Sequence, residues 1–162
     1  MTSYRVLFVC MGNICRSPAA ECVFRHYVAQ TDLDGRVLAD SAGTIGYHEG
    51  DPPDARMQRE LRQRSIQVSG RARAVTKGDF QEFDLILAMD EQNLENLRNL
   101  GGAAATPDRL RLFGDFCQQH PGTEVPDPYY GGSDGFAHVV DMLEDGMPQL
   151  LAHIRESLEK RG

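Results

Sequence analysis

The sequence predicts an α/β protein, a mostly parallel sheet covered by helices on both faces. Two observations carry this expectation. Short β-rich runs alternate with segments of helical apolar spacing along the 162 residues, and strand, helix, strand units close by right-handed crossovers that lay helices against the sheet. The length also suits a single domain, residues 1–162, able to bury one core without disulfides or metals as supports.

Each element has its own signal. Residues 4–9, YRVLFV, form a continuous β-rich run flanked by a glycine-containing loop, as a strand buried on both faces does. A helix follows, with Ser17 and Pro18 where an N-cap and a first-turn proline belong and Ala19, Ala20, Val23, Phe24 and Tyr27 at helical spacing. Residues 36–40 read as a second strand, 54–64 as a helix and 84–89 as a third strand. A helix over 91–100 is stopped by Gly101 and Gly102, and 109–113 is a weaker strand candidate. From Ser133 onward Phe136, Val139, Val140, Leu143, Met147, Leu150, Leu151, Ile154 and Leu158 form one apolar stripe of a closing helix. Gly146 and Pro148 fall inside it and predict a kink or a break, because proline lacks an amide donor and clashes with the preceding turn. The Gly/Pro-rich connections 42–53 and 119–135 are where a site on a rigid scaffold would be completed.

Composition narrows the function classes. A formal net charge of -7 argues against nucleic acid or an anionic membrane as general partner, since both require a basic footprint, so any anion site must be local. No apolar run approaches the roughly 20 residues of a membrane span. Residues 1–5 lead straight into a strand pattern rather than a signal peptide, and the protein reads as cytoplasmic. The cysteines at 10, 15, 22 and 117 form no C-x-x-C pair and are expected reduced. The histidines at 26, 48, 120, 138 and 153 lack metal-ligand spacing, and no metal is expected.

Chemistry concentrates in Cys10-Met11-Gly12-Asn13-Ile14-Cys15-Arg16-Ser17, between the first strand and the first helix. The carboxyl end of a strand is where open α/β sheets bind ligands. A short loop curling toward a helix N-terminus aims successive N–H groups at one point, a nest for a tetrahedral oxyanion strengthened by the helix dipole. Gly12 and Asn13 tolerate the positive φ such a curl needs, and Arg16 can clamp two oxygens bidentately. The same field favours thiolate at Cys10, making it a nucleophile. Ser17 has two compatible roles, a hydrogen bond to that sulfur or plain N-capping. The plain alternative for the loop is a structural cysteine in an ordinary turn, but the preceding strand and the Ser-Pro helix start favour the anion site. A nucleotide P-loop is a poorer reading, since G-x-x-x-x-G-K-[ST] is absent.

A thiolate that attacks phosphorus needs an acid to protonate the leaving oxygen, and the loop supplies none. Val125-Pro126-Asp127-Pro128-Tyr129-Tyr130-Gly131 places Asp127 between prolines and beside two aromatics. Alone, Asp-Pro is an ordinary turn.

With the N-terminal loop, however, the chain resembles the low-molecular-weight protein tyrosine phosphatases over nearly its whole length. The resemblance rests on VCMGNICRSPAAE near the start, DSAGT at 40–44, Pro52-Pro53-Asp54, TKGDFQEFDLILAMDEQNL at 76–94, and DPYYG at 127–131. It implies a three-layer fold with a four-stranded parallel sheet, and hydrolysis of phosphotyrosine in protein substrates without a cofactor. Cys10 would be the nucleophile, Arg16 the phosphate clamp and Asp127 the general acid. By the same resemblance Asn13, Ser17 and Ser41 look like the polar network holding the loop, and Tyr47, Tyr129 and Tyr130 like the aromatic walls of the cleft. An aromatic entrance favours a planar phenyl ester, which both stacks on tyrosine and reaches the sulfur; the plain alternative for each tyrosine is ordinary partial burial, with substrate contact favoured most for Tyr129. Where many relatives carry a histidine that supports the loop asparagine, this chain reads Val68-Ser69-Gly70-Arg71, so Asn13 is expected to turn to Ser41, Ser69 or water.

Two other functions fit the residues less well. Arsenate reductases built on the same fold need a further thiol pair, and residues 79–100 contain no cysteine. A phosphotyrosine-binding protein without turnover would have no use for Cys10, Arg16 and Asp127 together. Cys15 is either a packed thiol or the partner that captures an oxidised Cys10, and Cys22 and Cys117 are assigned to packing. Arg56, Arg59, Arg62 and Arg64 read as a solvated helix face with local ion pairs rather than a docking patch. A monomer is preferred to a dimer.

Overall fold

The computed structural model describes residues 3–119, 124–129 and 131–161. It contains β1 (Tyr4–Cys10), α1 (Arg16–Val28), β2 (Val37–Gly43), α2 (Ala55–Gln63), α3 (Asp79–Glu82), β3 (Leu85–Ala88), α4 (Glu91–Gly101), β4 (Leu110–Leu112) and α5 (Ser133–Arg161). Short 3-10 turns at Gly102–Ala104 and Phe113–Phe116 flank β4. The four strands pair in parallel in the order β2-β1-β3-β4.

The sheet is the middle of three layers because β1 is apolar on both sides. Val6 and Phe8 pack with α1 and α5, whereas Leu7 and Val9 join Ile86, Leu94 and Leu97 beneath α4. Phe8 meets Phe24 of α1 edge-on with ring centroids 5.5 Å apart, so the first strand and first helix share one core contact. From β1 the chain turns to one side for β2 and then crosses to the other for β3. That change of direction opens a crevice beyond the carboxyl ends of β1 and β3, where such sheets hold ligands.

Three local expectations need correction. β2 runs to Gly43, carrying Ser41 and Ala42 into the sheet, because its register with β1 continues to the Cys10–Gly43 pair. α3 was not foreseen, since four residues are too few for apolar periodicity to show. Of the kink or break expected in α5, the break does not occur, and the helix passes through Gly146 and Pro148 as one element. Leu143, Met147, Leu150 and Ile154 are wholly buried on both sides of the proline, and that burial outweighs the one hydrogen bond proline removes. Gly146 is a packing residue: a Cβ there would lie 2.6 Å from Cζ of Phe113. Among the described residues no helix is long and apolar enough to cross a membrane.

Candidate active site

The loop joining β1 to α1 is shaped by three anchored carbonyls. Cys10 O accepts from Thr44 N (2.9 Å), Met11 O from Ile45 N (3.1 Å) and Ile14 O from Asp54 N (2.7 Å). With these oxygens turned outward, none of the N–H groups of residues 11–15 has a protein acceptor among the described residues, as a nest for an anion requires. Asn13 supplies the left-handed residue of the curl, with φ 57°. At the end of β2 the chain passes so close that a Cβ on Gly43 would sit 2.8 Å from Met11 O and 2.9 Å from Ile45 O. Only glycine fits there.

Cys10 ends β1 at the floor of this loop, buried, with its Sγ 3.0 Å from Ser17 Oγ. Ser17 lies inside the first turn of α1, whose N-cap is Cys15 and carries no side-chain cap, so the capping role expected of Ser17 is not realised. Its hydroxyl instead accepts from Asn13 Nδ2 (2.8 Å) and has Cys10 Sγ and Ala42 O (3.3 Å) as its two possible acceptors. Asn13 Oδ1 accepts from the main-chain N–H of Arg73 at 3.0 Å, and the Ser41 and Ser69 hydroxyls bond elsewhere. Arg73 is fixed by its own side chain, which bonds Asp40 and both oxygens of Asp79. Ser41 makes no bond to the loop: it donates to Glu21 at 2.8 Å. Ser69 Oγ accepts from Arg25, which also pairs with Glu21 at 2.6 Å. Gly70 has φ 102°, and a Cβ there would face Glu21 Oε1 at 3.8 Å.

Arg16 is 2% exposed, and its Nη1 donates to Asp90 Oδ2 (2.6 Å) and to Val125 O (3.1 Å). Burial opposes its charge, but the sulfur of Cys10 and then Asp90 outweigh burial and raise the guanidinium above its ordinary range. Asp90 is spoken for on both oxygens, because Oδ1 caps α4 by accepting from Asn93 N at 2.7 Å. The cap therefore fixes the carboxylate that fixes Arg16. The remaining Nη2 lies 3.8 Å from Asp127 Oδ2, while Asp127 Oδ1 accepts from Tyr129 N at 3.1 Å.

Cys10, Arg16, Asp127, Tyr47 and Tyr129 line one pocket of ≈ 340 Å³, together with Met11, Gly12, Ile14 and Cys15 of the loop. Ile45 and His48 complete its wall. Tyr47 stands 84% exposed at the rim, its ring 5.0 Å from His48, and Tyr130 lies outside the described residues. Cys15 is buried, and burial, with Asp54 and Cys10 adding to it, holds its thiol protonated far above the usual range. Cys117 is likewise pushed up to about 12, by burial and by Asp145.

Sequence reasoning missed Asp90, Arg73, His48 and Ile45. Asp90 was within reach, since an aspartate directly before a helical pattern is a capping signal at the carboxyl end of a neighbouring strand. For the main-chain role of Arg73 the sequence carries no signal.

Residues 5–160 match the sequence profile of the low molecular weight phosphotyrosine protein phosphatases. The chain belongs to that family. It is 44% identical to the low molecular weight protein-tyrosine-phosphatase YfkJ of Bacillus subtilis, over 93% of this chain and 96% of the relative. It is also 44% identical to the human low molecular weight phosphotyrosine protein phosphatase, over 83% of this chain and 85% of that one. In structure it resembles a protein tyrosine phosphatase from Entamoeba histolytica, with a TM-score of 0.91 at 42% identity, covering 96% of this chain and 99% of the other. As a member of the family the chain is a phosphotyrosine protein phosphatase, a hydrolase of phosphoproteins and aryl phosphate monoesters through a cysteinyl-phosphate intermediate. In this phosphatase, Cys10 lies in the expected phosphate-binding region.

Proposed function

We propose that Cys10, Arg16 and Asp127 divide the phosphatase reaction among them. The thiolate of Cys10 attacks phosphorus in line, an S–P bond forms, the P–O bond to the phenol breaks, and Asp127 gives its proton to the departing oxygen. The carboxylate so formed then takes a proton from water as that water attacks the cysteinyl phosphate, releasing inorganic phosphate and restoring the thiolate. Arg16 and the loop amides hold the equatorial oxygens while charge redistributes. Ser17 stabilises the sulfur anion as attacker and as leaving group. No metal or cofactor takes part. The observation that carries this assignment is the meeting, in one pocket, of Cys10 on the floor with the Arg16 guanidinium and the Asp127 carboxylate 3.8 Å apart.

The substrate is phosphotyrosine on a protein, received between Tyr47 and Tyr129, with Tyr130 assigned to the same cleft by resemblance alone. The chain acts as a monomer in the cytoplasm, one catalytic unit over residues 1–162, and its acidic balance leaves nucleic acid and membranes aside. Cys10→Ser is expected to abolish hydrolysis of an aryl phosphate while retaining vanadate or phosphate binding. Asp127→Ala should lower kcat/KM by roughly 10²–10⁴ for esters with poor leaving groups and far less for activated ones. Near-normal turnover by Cys10→Ser would falsify the nucleophile assignment.

A further inference from the structure

Arg56 lies in the first turn of α2, outside the pocket lining, yet it touches both halves of the site. The main-chain N–H of Asp54 donates to Ile14 O in the phosphate loop at 2.7 Å. The carboxylate of Asp54 accepts from Arg56 three times, from its main-chain N (2.8 Å) and Nε (3.1 Å) at Oδ1 and from Nη2 (3.0 Å) at Oδ2. Held by this fork, the guanidinium lies over the ring of Tyr129, 5.3 Å from its centroid, and over that of Phe136 in α5, at 4.7 Å. Tyr129 in turn donates its N–H to Asp127, whose other oxygen faces Arg16. The contacts close a circuit around the pocket: Ile14, Asp54, Arg56, Tyr129, Asp127, Arg16 and back to the loop.

We propose that Arg56 is a positioning residue for the general acid, a latch that stacks on Tyr129 and so holds the Asp127 loop at a fixed height above the phosphate loop. The proposal rests on the assignment of Asp127 as acid. A bidentate, planar cation suits the task, since it grips a carboxylate edge-on while offering its face to an aromatic ring, which a lysine ammonium cannot do. Among the described residues Asp127 is held by the Arg16 guanidinium at 3.8 Å and by the backbone N–H of the residue that Arg56 covers, and its side chain is 36% exposed. Removing Arg56 leaves the nucleophile, the clamp and the nest intact and loosens only the proton donor.

The test compares phenyl phosphate, a poor leaving group, with 2,4-dinitrophenyl phosphate, which needs no acid, using the parent, Arg56→Ala, Asp127→Ala and the double variant. Arg56→Ala is expected to lower kcat/KM on phenyl phosphate about 3–10-fold, part of the 10²–10⁴ that positioned proton transfer supplies, and by under about 2-fold on the dinitrophenyl ester. Inhibition by inorganic phosphate should stay at the parent value. In the Asp127→Ala background, Arg56→Ala should cost nothing further, because the group it positions is gone. Equal losses on both esters, an additive loss in the double variant, or no loss at all would overturn the latch. Should Arg56→Ala fold poorly, Arg56→Lys keeps the charge without the planar fork and is read by the same outcomes. A parent that turns over neither ester overturns the assignment of Asp127 and the latch together, whereas an active parent with an unaffected Arg56→Ala overturns the latch alone.

Discussion

Cys10 and Cys15 share a loop and differ in their surroundings. Cys10 has the hydroxyl of Ser17 beside its sulfur and Arg16 in the same pocket, while Cys15 is buried where Asp54 and Asp127 add to the cost of a negative charge. The residue written next to the clamp is thus kept a neutral thiol. If peroxide converts Cys10 to a sulfenic acid, a disulfide forms when the Cys15 sulfur attacks and water leaves; a protonated thiol does this slowly, and the place of Cys15 in the same loop, lining the same pocket, offsets that cost by proximity. The expected outcome is that Cys15→Ala, after brief exposure to peroxide and return to reductant, recovers less activity than the parent, by roughly twofold or more once oxidation runs past the sulfenic stage. Equal recovery would show that Cys15 serves packing alone. At this scale the sequence was legible where chemistry is contiguous, from Cys10 to Ser17. It was silent where partners are distant: Asp90 meets Arg16 across 74 positions and the Arg73 amide meets Asn13 across 60. Ser41 illustrates the limit of resemblance, since its hydroxyl is spent on Glu21.

Among the elements, α5 shows why residue preference alone misjudges a helix. Gly146 and Pro148 both argue locally for an interruption, yet the stripe from Phe136 to Leu158 is buried on either side of them. Gly146 brings the helix against Phe113, which packs in turn on Phe8 with ring centroids 6.4 Å apart. Alanine in a helix interior ordinarily gains about 1 kcal/mol over glycine. Here the added methyl would meet a rigid, fully buried ring, and overpacking costs about 1–3 kcal/mol, so Gly146→Ala should destabilise the protein and lower its midpoint in urea unfolding. A raised midpoint would mean that Phe113 can give way. Gln149 donates to Asp145 O and to Phe116 O at 2.6 and 2.9 Å, tying the turn after the proline to the segment beyond β4. The alternation of strands and helices was readable because it is written in apolar spacing. The exact end of β2 was not, because it depends on register with β1.

For the molecule as a whole, the buried carboxyl of Glu21 makes stability depend on pH in an uncommon direction. Burial raises its proton affinity above the ordinary carboxylate value, and the ion pair with Arg25 and the bond from Ser41 only partly oppose it. The native state therefore binds this proton more tightly than the unfolded chain does. Its contribution to stability is complete below the unfolded value and is lost as pH rises through the folded one. Glu21→Gln removes that dependence, so in denaturant unfolding at several pH values between acid and neutral, the variant should gain on the parent as pH rises. A constant difference, or one of opposite slope, would place the charge of Glu21 in a compensated site. The fold class followed from the sequence because it reflects the alternation of all its elements, whereas this coupling joins α1, β2 and the segment near Gly70 and has no signature along the chain.

Gly43 bears on how the mouth of the site can be remodelled. With two carbonyl oxygens already within 3 Å of where a methyl would go, this position is closed to directed evolution. New specificity has to enter through outward-facing neighbours such as Ile45 and Tyr47, which can be exchanged while the strand end beneath them stays put.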